Sequence, residues 1–247
     1  MDTQALNTFS DDLFNNKVAV VTGGTSGIGQ SVAIAFAKKG AKVLALGLNS
    51  AEAKYPKGLD IETVEMDVTD ENKIADFFNN LDQLDVLFNG AGMGSTTEHE
   101  LPTFKKVIDV NLTAVFHISE CAAPLLAKSD NGSIINVSSL YAIFGSGMTP
   151  AYSSSKGAID QLTKSHAIYL AKDKVRVNAV VPGWIDTPLI EPLKQMEGFT
   201  DFVMARTPLA RFGDPDEVAA VVLFLASKAA SWINGTTITI DGGYSTI

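Results

Sequence analysis

The stretch Val18-Ala19-Val20-Val21-Thr22-Gly23-Gly24-Thr25-Ser26-Gly27-Ile28-Gly29 decides the reading of this chain. Its first four residues form a continuous apolar run, as expected for a strand buried on both faces. A glycine-rich turn follows. Ile28, Val32, Ala33, Phe36 and Ala37 then recur at helical spacing, Lys38 and Lys39 suit the helix C-terminus, and Gly40 supplies the stop. Strand, glycine turn and helix in that order are what a dinucleotide needs. Glycines let the backbone approach a pyrophosphate, and the helix N-terminus offers N–H groups and a positive dipole end. Gly23, Gly27 and Gly29 set the turn, with Thr25, Ser26 and Ile28 between or beside them as further candidate contacts. This spacing differs from G-x-G-x-x-G, so the strand and helix around it carry the argument.

Working outward, short apolar runs alternate with longer periodic segments. Strands are expected over 43–46, 61–65, 85–89, 133–137, 175–181 and 236–240. Helices are expected over 70–80, 104–126, 152–170 and 214–226, the last opened by Asp214 and Pro215. Such alternation implies an α/β fold: a Rossmann-like, doubly wound parallel sheet with helices on both faces. No repeat, linker or composition break divides residues 1–247, which read as a single dinucleotide-binding and catalytic domain. Residues 188–211 interrupt the rhythm with Pro188, Pro192, Gly198 and Pro208, and are expected to form a substrate lid.

Composition narrows the function classes. The chain has 247 residues, 46% of them hydrophobic, and a formal net charge of −9. The acidic balance, with no basic block, argues against nucleic acid and anionic membranes as partners. One cysteine, Cys121, excludes an intrachain disulfide, and the three histidines lack metal-ligand spacing, so no metal is expected. Residues 1–16 are polar and acidic rather than signal-like, and no apolar run reaches membrane-spanning length. A cytoplasmic protein is expected.

The second strand ends Ala45-Leu46-Gly47-Leu48-Asn49. An acid at such a position hydrogen-bonds the adenosine ribose of NAD, and a nearby Arg accommodates the extra phosphate of NADP. Neither is present. A phosphate without a cationic partner is costly, so the missing clamp favours NAD without excluding NADP, with Gly47 and Asn49 at the ribose.

Tyr152-Ser153-Ser154-Ser155-Lys156 opens a helix, and residues at i and i+4 share a helix face. A phenol and an ammonium at one site suit proton exchange with an alcohol oxygen. Moving a tyrosine pKa from about 10 to about 7 takes about 4 kcal/mol, which a close lysine and an oxidised nicotinamide can supply. Ser138-Ser139 closes a strand at the carboxyl edge of the sheet, where ligands bind, and Ser139 can hold the substrate oxygen beside the phenol.

These features, together with Asp67-Val68, Asn89-Gly90-Ala91-Gly92, Asn111 and Pro182-Gly183-Trp184-Ile185-Asp186-Thr187, resemble the short-chain dehydrogenase/reductase family over nearly the whole chain. The resemblance implies roles. Tyr152 would be the general acid/base, and Lys156 would lower its pKa and bind the nicotinamide ribose. Ser139 would orient the substrate oxygen, and Asn111 would hold a water in the proton relay. Asp67 and Val68 would meet the adenine. Asn89, Gly90 and Ala91 would let the backbone lie against the cofactor. Pro182 and Gly183 would approach it after the sixth strand. Ile185 would present its backbone to the carboxamide, and Thr187 would contact the carboxamide or pyrophosphate. Glycine at position 90, where the family usually repeats asparagine, and Gly47 in place of the usual acid are departures. A homotetramer or homodimer is also implied.

The expected function is hydride transfer between a nicotinamide, NAD preferred, and a secondary alcohol or ketone. Alternatives are a non-catalytic nicotinamide-nucleotide sensor on the same fold and an NADPH-dependent carbonyl reductase. Tyr141, Phe144 and Met148 are candidates either for the lining of the substrate pocket or for packing, as are Trp184, Leu189 and Met196 on the lid side; His99 reads first as a residue of a polar loop beside Glu98 and Glu100 rather than of the substrate mouth.

Overall fold

In the computed structural model, which describes residues 5–247, seven strands form one parallel sheet. They are β1 (Val18–Thr22), β2 (Lys42–Gly47), β3 (Ile61–Glu65), β4 (Val86–Asn89), β5 (Ser133–Val137), β6 (Arg176–Pro182) and β7 (Thr237–Ile240), in spatial order β3-β2-β1-β4-β5-β6-β7. The chain runs outward from β1 to β3 on one side and from β4 to β7 on the other. The order therefore reverses between β1 and β4, and such a switch point opens a crevice at the carboxyl ends of the strands.

Strand composition follows from burial on both faces. Along β1, Ala19 and Val21 point into one core with Val32 and Phe36 of α1 (Gly27–Lys38) and Val222 and Leu225 of α9 (Pro215–Ala226). Val20 points the other way, into a second core with Ile74 and Phe78 of α2 (Glu71–Asn79) and Ile118 and Leu126 of α4 (Ala114–Leu126). Asp214 and Glu217 cap α9 reciprocally, as the Asp214-Pro215 start suggests. The polar N-terminal segment is more engaged than its composition implies, because Leu6 and Phe14 are buried in the first core.

Two local features depart from the sequence reading. The helix expected over 104–126 starts at α3 (Leu101–Ile108) and reaches α4 only through a π-helical turn, Asp109–Thr113. Hydrophobic periodicity alone does not register one extra residue in a turn, and such turns gather at functional sites. A short helix, α5 (Leu140–Phe144), follows Ser139, where no element was expected; five residues are too few to carry a helical period. The next helix, α6 (Pro150–Tyr169), starts two residues before Tyr152. Residues 188–211 hold two short helices, α7 (Glu191–Lys194) and α8 (Phe199–Arg206).

Candidate active site

The glycine turn is built for backbone approach. Gly23 has φ +67°, and a Cβ there would sit 2.8 Å from the backbone of Gly90 and Ala91. A Cβ on Gly29 would lie 2.1 Å from the Gly23 carbonyl oxygen, so only glycine fits. Ser26 occupies the N-cap of α1 without capping it by its side chain, so the first-turn N–H groups are left for a ligand. Thr22 braces the neighbouring loop, its hydroxyl accepting from Gly90 N at 3.1 Å and Ala91 N at 3.2 Å. Across the crevice, Thr187 faces Gly27, where an added Cβ would come within 3.6 Å of it. A turn of this shape, opening on an uncapped helix, fits a pyrophosphate-bearing cofactor.

Several expected contacts take a different form at the level of side chains. Asn89 turns its amide inward, donating to Asn136 Oδ1 at 2.9 Å and Ser119 Oγ at 3.1 Å, so only its backbone faces the crevice. The Asp67 carboxylate accepts from the hydroxyl and N–H of Thr69, which hold it below the usual carboxylate range, and Val68 is buried beside it. Gly183 donates its N–H to Ile240 O and Ile185 bridges to Gly213, which fixes the loop after Pro182.

At the adenosine end, a Cβ on Gly47 would meet Thr25 Oγ1 at 2.5 Å, so a side chain there would have to displace Thr25. A carboxylate arrives from the neighbouring strand instead. The parallel register pairs Gly47 with Glu65, whose oxygens accept from Asn49 N at 3.1 Å and Ser50 N at 2.7 Å. These bonds hold the exposed Glu65 carboxylate below its ordinary pKa. Sequence reading missed it because it belongs to the weakest strand pattern, and only β2–β3 register brings it beside Asn49.

Ser139, Tyr152, Lys156 and Asn111 converge. Ser139 caps α5, its hydroxyl accepting Tyr141 N–H at 3.2 Å, and that hydroxyl lies on the phenol side of Tyr152, where it favours the phenolate. Lys156 Nζ is buried, stands 5.6 Å from the centroid of the Tyr152 ring and donates to Val137 O at 2.8 Å. Asn111, in the π-turn, accepts Met93 N–H and donates to Met93 O, both at 2.8 Å, and donates to Ser155 Oγ at 3.1 Å. A Cβ on Gly92 would lie 3.4 Å from Asn111 Oδ1 and 3.6 Å from Lys156 Nζ, so both polar groups border one small space that glycine keeps open.

The electrostatics of the pair depart from the expectation in one respect. Burial raises the Tyr152 pKa above its usual value near 10, Ser139 opposes that rise, and Tyr141 and Glu98 add to it. Lys156 is itself pushed down to about 8 by burial, against the pull of Asp160. In the protein alone, desolvation outweighs Ser139, and the phenol stays protonated at neutral pH.

Glu98, in the loop after β4, is a second carboxylate that the sequence did not single out. It is fully buried and accepts Ser95 N–H at 2.9 Å and Tyr152 N–H at 2.8 Å. Next to it, His99 Nε2 hydrogen-bonds Gly147 O at 2.9 Å, tying the same loop to the segment before α6. Beyond the phenol, Tyr141 packs edge-on against Tyr152 at 6.2 Å and against Trp184 at 6.0 Å, which begins an aromatic wall.

The family model described as enoyl-(acyl carrier protein) reductase matches residues 23–245. The 3-oxoacyl-[acyl-carrier-protein] reductase FabG of Thermotoga maritima is 39% identical over 242 residues, covering 92% of this chain and 97% of its own. The chain belongs to the short-chain dehydrogenase/reductase family. The 3alpha-hydroxysteroid dehydrogenase of Mediterraneibacter gnavus is 35% identical over 246 residues, covering 93% of this chain and 97% of its own. A crystal structure of a putative NAD(P)-dependent gluconate 5-dehydrogenase from Beutenbergia cavernae, with NADP bound at low occupancy, superposes with a TM-score of 0.89 at 30% identity. It covers 96% of this chain and 100% of that one. As a member of this family the protein is an NAD(P)-dependent oxidoreductase. No helix among the described residues is long and apolar enough to cross a membrane.

Proposed function

We propose that this oxidoreductase interconverts a secondary alcohol and a ketone, with Tyr152 as the general acid/base. The observation that carries the reading is the placement of Ser139 and Lys156 beside Tyr152, with Lys156 Nζ 5.6 Å from the Tyr152 ring centroid. When bound, the nicotinamide supplies or accepts the hydride. Ser139 and Tyr152 hold the substrate oxygen between them, and Tyr152 takes its proton in oxidation and returns it in reduction. Lys156 binds the nicotinamide ribose and stabilises phenolate. Asn111 Oδ1 keeps one lone pair free and turns it, with Lys156, toward the space beside Gly92, where a water would continue the proton path. The phenol raised by burial needs a further positive charge, which an oxidised nicotinamide brings.

The same reading gives the glycine turn with Thr25, Ser26 and Ile28 to the pyrophosphate, Asp67 and Val68 to the adenine, and Gly47 and Asn49 to the adenosine ribose. The backbones of Asn89, Gly90, Ala91, Pro182, Gly183 and Ile185, with Thr187, line the remainder. NAD is the preferred cofactor, because the Glu65 carboxylate, held on the Asn49 and Ser50 N–H groups, would repel a further phosphate beside Asn49. Residues 188–211 act as the lid of a single catalytic domain. The protein works in the cytoplasm as a homodimer or homotetramer, and its exposed Phe116, Ile168 and Tyr169 on α4 and α6 suit a subunit interface.

The test is Tyr152→Phe. It should bind NADH as the parent does and lose about 10³-fold in kcat on any substrate the parent turns over. Retention of kcat within tenfold would remove Tyr152 from the acid/base role. Light scattering at micromolar concentration tests the assembly, and a clean monomer counts against it.

A further inference from the structure

The chain has three arginines, and their surroundings differ. Arg176 is buried and donates to the carbonyls of Leu225 and Ser227. Arg211 forms a two-pronged pair with Glu217. Arg206, the last residue of α8, has no such partner. Among the described residues no carboxylate pairs with it, and no oxygen accepts from its guanidinium. It is held by rings instead: its guanidinium carbon stands 4.4 Å from the Tyr244 centroid, 5.5 Å from Phe144 and 6.0 Å from Phe202.

Those rings continue the wall that begins at the phenol. Trp184 meets Tyr244 at 6.5 Å and Tyr141 at 6.0 Å, and Tyr141 meets Tyr152 at 6.2 Å. Tyr244 is buried and Phe144 packs on it at 6.1 Å, so the platform under the guanidinium is fixed. Stacking on rings satisfies the faces of a guanidinium and leaves its fork of N–H donors at the edge, the geometry that grips a carboxylate with two bonds. In a chain of net charge −9, a half-buried cation with five idle donors at the end of an active-site wall calls for an anion from outside.

We infer that Arg206 anchors a carboxylate of the substrate, which is therefore a hydroxy acid or oxo acid whose acid group is remote from the reacting carbon. The intervening rings of Tyr141, Trp184 and Tyr244 separate the guanidinium from the phenol. They favour an acid carried several carbons away on an apolar ring or chain over a 2-hydroxy acid, whose carboxylate would sit next to the carbinol. This inference rests on the proposed site at Tyr152. Because Arg206 sits on α8, its grip would also draw the segment 188–211 over the bound substrate.

The experiment compares each of two acids, 4-oxocyclohexanecarboxylate and 4-oxopentanoate, with its neutral methyl ester. NADH oxidation is followed for the parent, Arg206→Gln and Arg206→Lys. For at least one pair the parent should favour the acid over its ester by tenfold or more in kcat/KM. Arg206→Gln should lose at least tenfold on that acid, mainly through KM, and stay within twofold on the ester. Arg206→Lys, which keeps the charge without the fork, should fall between. Equal use of acids and esters by the parent, or equal losses on both in the variant, overturns the anchor and leaves hydride transfer at Tyr152 standing. Reduction of none of the four compounds also overturns it. Calorimetric NADH binding, measured on the same protein, separates that result from a failed cofactor site.

Discussion

Glu98 Oε2 accepts the backbone N–H of Tyr152 at 2.8 Å, so a buried carboxylate from the loop after β4 caps the helix that carries the phenol. Thr149, which precedes α6, makes no side-chain cap of its own. Glu98→Ala would strand two partly buried N–H groups, those of Ser95 and Tyr152, at a cost of about 2 kcal/mol in unfolding free energy. The displaced phenol should lower kcat about tenfold or more. Glu98→Gln keeps one acceptor and should lose about half as much stability. Urea unfolding beside steady-state rates reads both effects, and an unchanged midpoint in Glu98→Ala would remove the cap from the argument.

Lys156 carries a stability penalty whose sign is set by its pKa. Burial lowers it from 10.5 to about 8, so the unfolded chain holds the proton more tightly between those values. Stability from this group therefore rises as pH climbs from 8 to 10.5, and the full penalty applies below 8. Lys156→Met removes a penalty of about 3 kcal/mol at pH 7. It also removes the bond to Val137 O, worth about 1 kcal/mol. The variant should lose turnover yet be more stable by about 2 kcal/mol at pH 7. That advantage should vanish by pH 10.5 in parallel thermal melts.

The Tyr152 phenol is raised by burial in the protein alone, so oxidation, which needs phenolate, should accelerate as pH rises from neutral. Reduction, which needs the phenol, should hold steady and then fall. The tyrosinate difference spectrum between the parent and Tyr152→Phe isolates this group. Its band should emerge above the usual tyrosine pKa in the protein alone and at distinctly lower pH once NAD+ is added. A midpoint that NAD+ does not move would show that the nicotinamide charge does not reach the phenol.

Glu65 is expected to set the preference for NADH over NADPH. Its carboxylate is exposed and hydrogen-bonded to Asn49 N and Ser50 N, so Glu65→Gln removes charge while keeping an acceptor. The NADPH-to-NADH ratio of Kd values should narrow by about threefold at low salt, almost entirely through tighter NADPH. Equal weakening of both cofactors would assign Glu65 to loop structure alone. A parent that favours NADPH would point to Lys54, exposed beside Tyr55, whose hydroxyl donates to Gly24 O at 2.8 Å.

Much of this molecule is legible in the chain because its signals are local. The β1–turn–α1 unit, the strand run 133–137 and the Asp214 cap each declare themselves within a dozen residues, and the sheet follows from their alternation. What stays hidden is register and reach. Glu65 sits in a strand of mixed burial and matters only because parallel pairing sets it beside Gly47. Glu98 looks like a solvated acid between Thr97 and His99, yet it is wholly enclosed. The phenol's proton affinity likewise depends on desolvation, which the Tyr152-x-x-x-Lys156 spacing does not express.

The π-helical turn at Asp109–Thr113 turns residue count into rotational phase. Each helical residue advances the side-chain direction by about 100°. Deleting Val110 would remove the residue that this wide turn absorbs, let α3 and α4 fuse into a regular helix, and shift the face on which Asn111 stands. The contacts of Asn111 with Met93 and Ser155 would then be lost, although no residue of the proton path had been substituted. The alignment of the site is thus written partly as an integer, and a chain one residue shorter there would keep its chemistry and lose its aim.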